Sequence, residues 1–559
     1  MNLKEDRIKN VLLLFLLGSV VLLQNCNPGT KHDYEVERPN IIIMFTDELQ
    51  FSDIQAYGGS IPTPEIDKLA RQGMKFTKAY SPASMCTPSR FAILTGLYPG
   101  RCTAPTFIRS NPLDEPYNIA WNTWITPDLH TLPKMLSEHG YITGMSGKWH
   151  VGHLNESEKL VTFNPDDDLD DQEIDEKLKI QQKIYENHVK ADAGFDYAAS
   201  VVWANFDNHP IEALRFHNFP WITKGALQFL DQQKESKSPF FLYVTPTAIH
   251  GPNHVQDLDK DKTYTLEGKQ PDVLQYNLDE EKLRNDIMSL PQKGRHRYAG
   301  MANIDYQLGL IRGKLEEIGK AGNTIIIFMS DHNIEPGKAT SYEKGIHIPM
   351  IFYWPGITDG LESQSLISSL DIYPTLLEIT NIPRGDNLRL DGNSFLPVIQ
   401  DPLSRSREYV FSENGYTRSV SDGRYKYIAL RYPESLVDAM ESNDLDHAPS
   451  YVGNWPQAHS AIAMKSFPAY FEQNQLYDLD IDPYEQNNIY PQQKSIALEL
   501  QTVLRAHLDS FQHPFDLTDI EYLDGDAFKK QYAVDLEYDL ANIPWLGRDH
   551  GSFSWPPKN

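Results

Sequence analysis

The sequence predicts an α/β fold: a large, mostly parallel sheet sandwiched by helices, with a smaller C-terminal α+β subdomain. Three observations carry this expectation. Apolar runs at residues 40–45, 141–145, 240–244, 324–329 and 350–353 have the length of buried strands. Between them lie amphipathic helical patterns with recognisable ends, and strands alternating with helices bury a parallel sheet on both faces. Ionisable residues also cluster just beyond the C-terminal ends of these runs: Asp47 and Glu48, Lys148 and His150, His250, and Asp331 with His332. Open α/β sheets bind their ligands at that edge.

Taken in order, residues 1–26 read as a signal peptide. Lys4, Arg7 and Lys9 precede an apolar run at 11–23, too short for a membrane span of about 20 residues but right for a signal core. Leu23-Gln24-Asn25-Cys26 is similar to a lipoprotein box with Cys26 as the lipid acceptor, although Asn25 is larger than the usual residue there, so plain secretion stays open. Either route exports the protein, to the periplasm or the cell surface. Thr63-Pro64 opens a helix that stops at Gly73, and Thr131 opens another that ends at Gly140. Asp166, Asp168 and Asp170 start an acidic segment, but glycine and glutamate are missing where a calcium-binding EF-hand loop needs them, so it reads as a solvated surface helix. Residues 254–295 are polar and loop-rich, a candidate cover for the pocket. Met301, Ile304, Leu308, Ile311, Leu315 and Ile318 repeat at helical spacing. The alternation fades after about residue 400, where strands at 424–428 and 475–479 and a helix at 495–508 suggest the smaller subdomain. The expected division is a catalytic domain at 37–400 and a C-terminal subdomain at 401–559.

A formal charge of −26, from 51 basic and 77 acidic residues, argues against nucleic-acid or anionic-membrane binding, with a lipid anchor the one expected membrane contact. It also means that an anion site has to be a locally positive pocket. Three cysteines make no disulfide framework. The stretch Cys86-Thr87-Pro88-Ser89-Arg90, followed by Leu94-Thr95-Gly96, sets Cys86 at the mouth of a short helix, where free backbone N–H groups favour an anion. The competing reading is a Cys86–Cys102 disulfide.

With Gly140-Tyr141-Ile142-Thr143, Gly147-Lys148-Trp149-His150, Ser330-Asp331-His332, Gly337-Lys338, Tyr342-Glu343-Lys344-Gly345-Ile346 and Leu476-Tyr477-Asp478-Leu479, the Cys86 stretch resembles the type I, formylglycine-dependent sulfatases of the alkaline phosphatase superfamily, over nearly the whole mature chain. The resemblance implies that a separate maturation enzyme oxidises Cys86 to formylglycine. One hydroxyl of the hydrated aldehyde attacks sulfur, and the other expels the sulfate. It implies a divalent metal, calcium by preference, held by Asp47, Glu48, Asp331, His332 and residue 86. Glu48 stands where aspartate is usual in the family, and His332 where asparagine is. Arg90 is implied to hold the diol, and Lys148 and Lys338 to clamp the sulfate oxygens. His150 is implied to hydrogen-bond the diol and take its proton, and His250 to protonate the leaving alcohol. His254 is a further expected substrate contact, while His347 replaces a common arginine. The implied substrate is a sulfated poly- or oligosaccharide, with Trp121, Trp124, Trp203 and Trp221 available for sugar stacking although tryptophans at such positions are more often core. Related phosphonate monoester and phosphodiester hydrolases share the cysteine motif, and an inactive glycan-binding relative is the third alternative.

Overall fold

The computed structural model describes residues 38–154, 161–334, 336–442 and 457–518. The leader and Cys26 lie outside the described residues. The main sheet contains nine strands: β1 (Asn40–Thr46), β2 (Met74–Tyr80), β3 (Ile142–Lys148), β4 (Tyr197–Val202), β5 (Phe240–Thr245), β6 (Thr324–Ser330), β7 (His347–Tyr353), β8 (Leu361–Ser363) and β9 (Ile367–Ser368). Their order is β8-β2-β7-β6-β1-β5-β3-β4, with β9 also on β2. Central β1 pairs parallel to β5 and β6, Ile41 lying opposite both Phe241 and Ile325. β3 and β4 extend the parallel arrangement on one side. On the other, β7 runs antiparallel to both β6 and β2. The sheet is therefore mixed and mostly parallel.

All five apolar runs are strands, and β2 and β4 join them unannounced. β2 carries Lys75 and Lys78 among its apolar residues, and β4 has Ala198-Ala199-Ser200 at its centre, so both give a weak strand signal. β7 starts three residues before its apolar run, with Pro349 inside it. The pairing with β2 shifts register there, which is where a residue without an N–H fits.

Period-two alternation sends β1 into two cores. Ile41, Ile43 and Phe45 pack with α2 (Cys86–Thr95) and α3 (Leu132–Glu138) on one face. Ile42 and Met44 pack on the other with α1 (Pro64–Gln72), α5 (Phe219–Gln232) and α6 (Gln292–Glu317). Two helices differ from their expected extent. In α2 all ten residues are buried, because the segment with Leu370, Ile372, Tyr373 and Leu376 covers what would be its outer face. α6 begins nine residues before Met301, in polar turns that bear His296 and Arg297.

The segment before α6 is not all loop: it holds a short helix at His254–Asp257, a two-stranded hairpin and a helix at Glu280–Ser289. The acidic turn caps α4 (Gln172–Ala193), with Asp171 accepting the Glu173 N–H, and Asp170 pairs with Lys269. Among the described residues no helix is long and apolar enough to cross a membrane.

The second sheet is antiparallel, ordered β10 (Val410–Asn414), β11 (Thr417–Ser421), β12 (Tyr425–Leu430) and β13 (Asn474–Asp478). α8 (Lys494–Leu508) packs Ala497, Leu500 and Leu504 against Val420, Tyr427 and Leu476. β10 reaches back to the loop before α2. Asn414 Oδ1 accepts from the Ser84 N–H at 2.8 Å and from its hydroxyl at 3.0 Å. Glu413 N donates to the Pro82 carbonyl at 2.8 Å.

Candidate active site

β1, β3, β5 and β6 run parallel, so their C-terminal ends share one edge. Asp47 and Glu48 follow β1, Lys148 ends β3, His250 follows β5, and Asp331 and His332 follow β6. Lys148 is aimed by a register shift after Ser146, where Gly147 adopts φ 109°. A Cβ there would lie 2.1 Å from the Thr245 carbonyl oxygen, so only glycine fits.

Residue 86 stands at the first position of α2 with 1 % exposure. Its Sγ lies 3.3 Å from His332 Nε2 and 3.6 Å from Asp47 Oδ1. Cys86 and Cys102 are both free thiols, which removes the disulfide reading; Cys102 packs its sulfur 3.7 Å from the Trp124 carbonyl.

Three cations face three carboxylates. Arg90 is fully buried and bonds Asp331 Oδ2 at 2.9 Å, with Asp47 Oδ2 at 4.0 Å. Lys148 Nζ bonds both Asp47 Oδ2 and Asn205 Oδ1. Lys338 pairs with Glu48. Burial alone would disfavour ionised acids here, yet Lys148, His250, Arg90 and His332 hold Asp47 well below the usual carboxylate range. Lys338 and His250 do the same for Glu48 against its burial.

Asp47, Cys86, Asp331 and His332 each bring one donor atom to within 4.8 Å of the others. His332 Nδ1 donates to the Asn333 carbonyl at 2.6 Å, which in the neutral ring leaves the Nε2 lone pair turned to residue 86. Burial opposes charging of His332, but Asp331 and the residue 86 thiol lift its pKa to about 9. A bound cation would take the place of that proton. Two carboxylates, an imidazole and residue 86 fit a divalent ion, and the ion's charge on an otherwise balanced set of three acids and three bases would make the pocket positive. Glu48, expected among the ligands, is outside this four-residue cluster because its carboxylate is taken by Lys338, with His250 Nε2 at 3.7 Å.

His150 follows β3 with φ 57°, its N–H donating to the Trp203 carbonyl at 2.9 Å and its Nδ1 buried without a partner. Burial, then Lys148 and Arg90, push its pKa well below the ordinary histidine value, so the ring is neutral. His250 donates Nδ1–H to the Gly251 carbonyl at 3.0 Å, leaving Nε2 toward Glu48. His254 does not line the pocket. It has 0 % exposure, bonds Asp257 at 3.0 Å and lies among His217 and His296, because the short helix at 254–257 turns it inward. His347 is also away from residue 86, held by the Thr77 carbonyl and stacked on Tyr80. Trp221 is core, while Trp121, Trp124 and Trp203 are half-buried against the main core. Sequence reasoning missed Asn205, which sits three residues past the unread strand β4, and His296 and Arg297, which precede the apolar part of α6.

Residues 39–382 match the family described as Sulfatase. The chain is 27 % identical to an N-acetylgalactosamine-6-O-sulfatase of Bacteroides thetaiotaomicron, covering 89 % of this chain and 99 % of that protein. It is 26 % identical to human arylsulfatase A, over 84 % of this chain and 88 % of the relative. The crystal structure of Ps i-CgsB in complex with k-i-k-neocarrahexaose superposes with a TM-score of 0.55 at 19 % identity, covering 90 % of this chain and 99 % of the other, which shows a common fold. With a family match over more than half its length and the acids, bases and Cys86 gathered at one sheet edge, the chain belongs to the sulfatase family and is a sulfuric ester hydrolase.

Proposed function

We propose that the protein is an exported enzyme that removes sulfate from a sulfated poly- or oligosaccharide, with residue 86, oxidised to formylglycine by a maturation enzyme, as nucleophile and Ca²⁺ as the metal. The observation that carries this reading is the convergence on residue 86 of Asp47 at 3.6 Å and His332 at 3.3 Å, with Lys148 bonded to Asp47 and Arg90 to Asp331. The carbohydrate substrate rests on the name of the N-acetylgalactosamine-6-O-sulfatase relative.

A cation held by Asp47, Asp331, His332 and residue 86 would acidify the nucleophilic hydroxyl and neutralise sulfate oxygens. Formylglycine supplies a geminal diol, one hydroxyl for attack on sulfur and the other for release of sulfate. The remaining work belongs to the chain. Arg90, fixed by Asp331, holds its charge beside residue 86, since a guanidinium does not deprotonate at any working pH. Lys148, bonded to Asp47, and Lys338, bonded to Glu48, would stabilise charge on the sulfate. His150, neutral and with Nδ1 unpartnered, accepts the proton. His250 donates one from Nε2, which lies 3.7 Å from the Glu48 carboxylate, to the leaving alcohol.

A desulfation screen against defined sulfated oligosaccharides, read by mass, tests the reading. A product 80 Da lighter from one regiochemistry supports it, whereas faster turnover of an aryl phosphodiester than of any sulfate ester overturns it. Peptide mass spectrometry of residue 86 after co-expression with a maturation enzyme tests the nucleophile, and an unmodified thiol in active protein refutes it. Export and lipidation are tested by fractionation of C26A, which is expected to leave the membrane fraction.

A further inference from the structure

The loop between β5 and the short helix at His254–Asp257 carries His250, and buried histidines hold it from outside. His296, in the first turns of α6, bridges two points of this loop. Its Nδ1 lies 3.1 Å from the His254 N–H, and its Nε2 lies 2.9 Å from the Ile249 carbonyl. An amide donor on one side and a carbonyl acceptor on the other permit one tautomer, with the proton on Nε2. His217 repeats the arrangement. Its Nε2 donates to the Pro252 carbonyl at 3.1 Å, and its Nδ1 accepts from the Thr247 hydroxyl at 2.6 Å. Residues 249 and 252 bracket His250. On the inner side, Asp47 N donates to the Ala248 carbonyl at 2.8 Å, so the loop is held between the acid-bearing end of β1 and the histidine layer.

Arg297, next to His296, donates to the Glu48 carbonyl at 3.0 Å and pairs with Asp53. Two consecutive residues of one helix thus hold the backbones of both partners in the His250–Glu48 pair. His217, His254 and Asp257 bring donor atoms within 4.8 Å of one another, as a metal centre does. Both ring nitrogens of His217 are already bonded, though, and the Asp257 oxygens accept from the His217 N–H and the His254 ring. The cluster is therefore a hydrogen-bonded brace. Burial, followed by the adjacent Arg297, keeps His296 neutral down to about pH 4, so the tautomer persists over the working range.

We propose that His296 and His217 are positioning residues that fix the His250 loop, and so place the Nε2 of His250 at the leaving oxygen of the substrate. This rests on the reading of His250 as the leaving-group acid. Displacement of an acid by about 1 Å costs on the order of 10²-fold in rate, and only where the leaving group needs its proton.

The test uses aryl sulfates graded from 4-nitrophenyl to phenyl, turned over by the matured full-length enzyme and its H250A, H296L, H296Q and H217N variants. H296L fills the space without the donor; H296Q returns a donor near the Nε2 position. H296L is expected to lose about 10²-fold in kcat on phenyl sulfate, with little change on 4-nitrophenyl sulfate and no change in KM. H250A is expected to show the same leaving-group pattern, and H296Q to recover most of the loss. Thermal unfolding confirms that each variant is folded; if H296L is not, H217N is read in the same way. A uniform loss across the series in H296L and H217N, beside a graded loss in H250A, overturns the positioning role while His250 keeps its own. A graded loss absent from H250A as well refutes His250 as the acid and the brace with it.

Discussion

Arg90 shows how closely charge is balanced around residue 86. It is fully buried, bonded to Asp331 and to the Lys148 carbonyl, and faces Asp47. Removing one member of such a set leaves an unpaired buried charge. R90A is expected to lower the stability to urea by about 3–5 kcal/mol as well as abolishing turnover. K148A also strips a partner from Asp47, and its kcat is expected to fall about 10²–10³-fold on sulfate esters. C86A is expected to remove turnover with little change in unfolding midpoint, because the thiol's contacts are weak ones at 3.3 Å and 3.6 Å. At this scale the sequence was readable where an ionisable residue directly follows an apolar run, as Asp47, Asp331 and Lys148 do. It was silent on Asn205, whose strand has small residues, Ala198-Ala199-Ser200, at its centre. It misdirected on His254, since spacing from His250 carries no information about which way a helical side chain turns. Glu48 follows β1 as its position after an apolar run suggests, but its partner, Lys338, is 290 residues away and is brought to it only by packing.

Among the elements, α8 fastens the second sheet to the first through an aromatic cluster. His507 stacks on Phe411 at 4.0 Å and meets Tyr98 at 4.7 Å and Phe511 at 5.1 Å, with Nε2 unpartnered. Burial, then Arg101, Arg407 and Arg418, lower its pKa to about 3. The unfolded chain takes up a proton near pH 6.5 that the folded protein refuses until about pH 3. Stability from this residue is therefore complete above pH 6.5 and falls as pH drops through that window, by about 1.4 kcal/mol per pH unit. H507F keeps the stack and removes the proton, so its unfolding free energy, measured by urea titration at pH 7 and pH 5, is expected to fall less on acidification than that of the parent. The helices and central strands were legible because their periodicity is strong. β2, β4 and the first half of β7 were not, because charged, small or proline residues mask a strand whose neighbours supply its burial.

For the whole molecule, the parallel strands deliver the acids and bases to one edge, and the second sheet closes the loop that presents residue 86. A chain ending at residue 400 lacks Glu413 and Asn414, which bond Pro82 and Ser84, and leaves the loop before α2 without those partners. It is expected to be insoluble or inactive on expression, and a soluble active fragment would contradict this. An ion bound by Asp47, Asp331, His332 and residue 86 would tie stability to its concentration. Ca²⁺ at about 100 times its Kd is expected to stabilise the protein by about 2.7 kcal/mol, seen as a raised Tm. D331N is expected to remove that rise. Which residues meet across the two sheets was beyond the reach of local pattern, since their contacts join segments hundreds of positions apart.

The bond from Ser84 to Asn414 spans 330 residues and has a consequence in time. The proposed oxidation of residue 86 by a separate enzyme would require access to a side chain that the finished fold leaves 1 % exposed. The clasp cannot shut until Asn414 has been synthesised. At about 5–20 residues per second, the ribosome holds the window open for some tens of seconds after Ser84 is made. The distance along the chain between a loop and its clasp would act as a delay, giving the proposed modifying enzyme its turn before folding takes the site away.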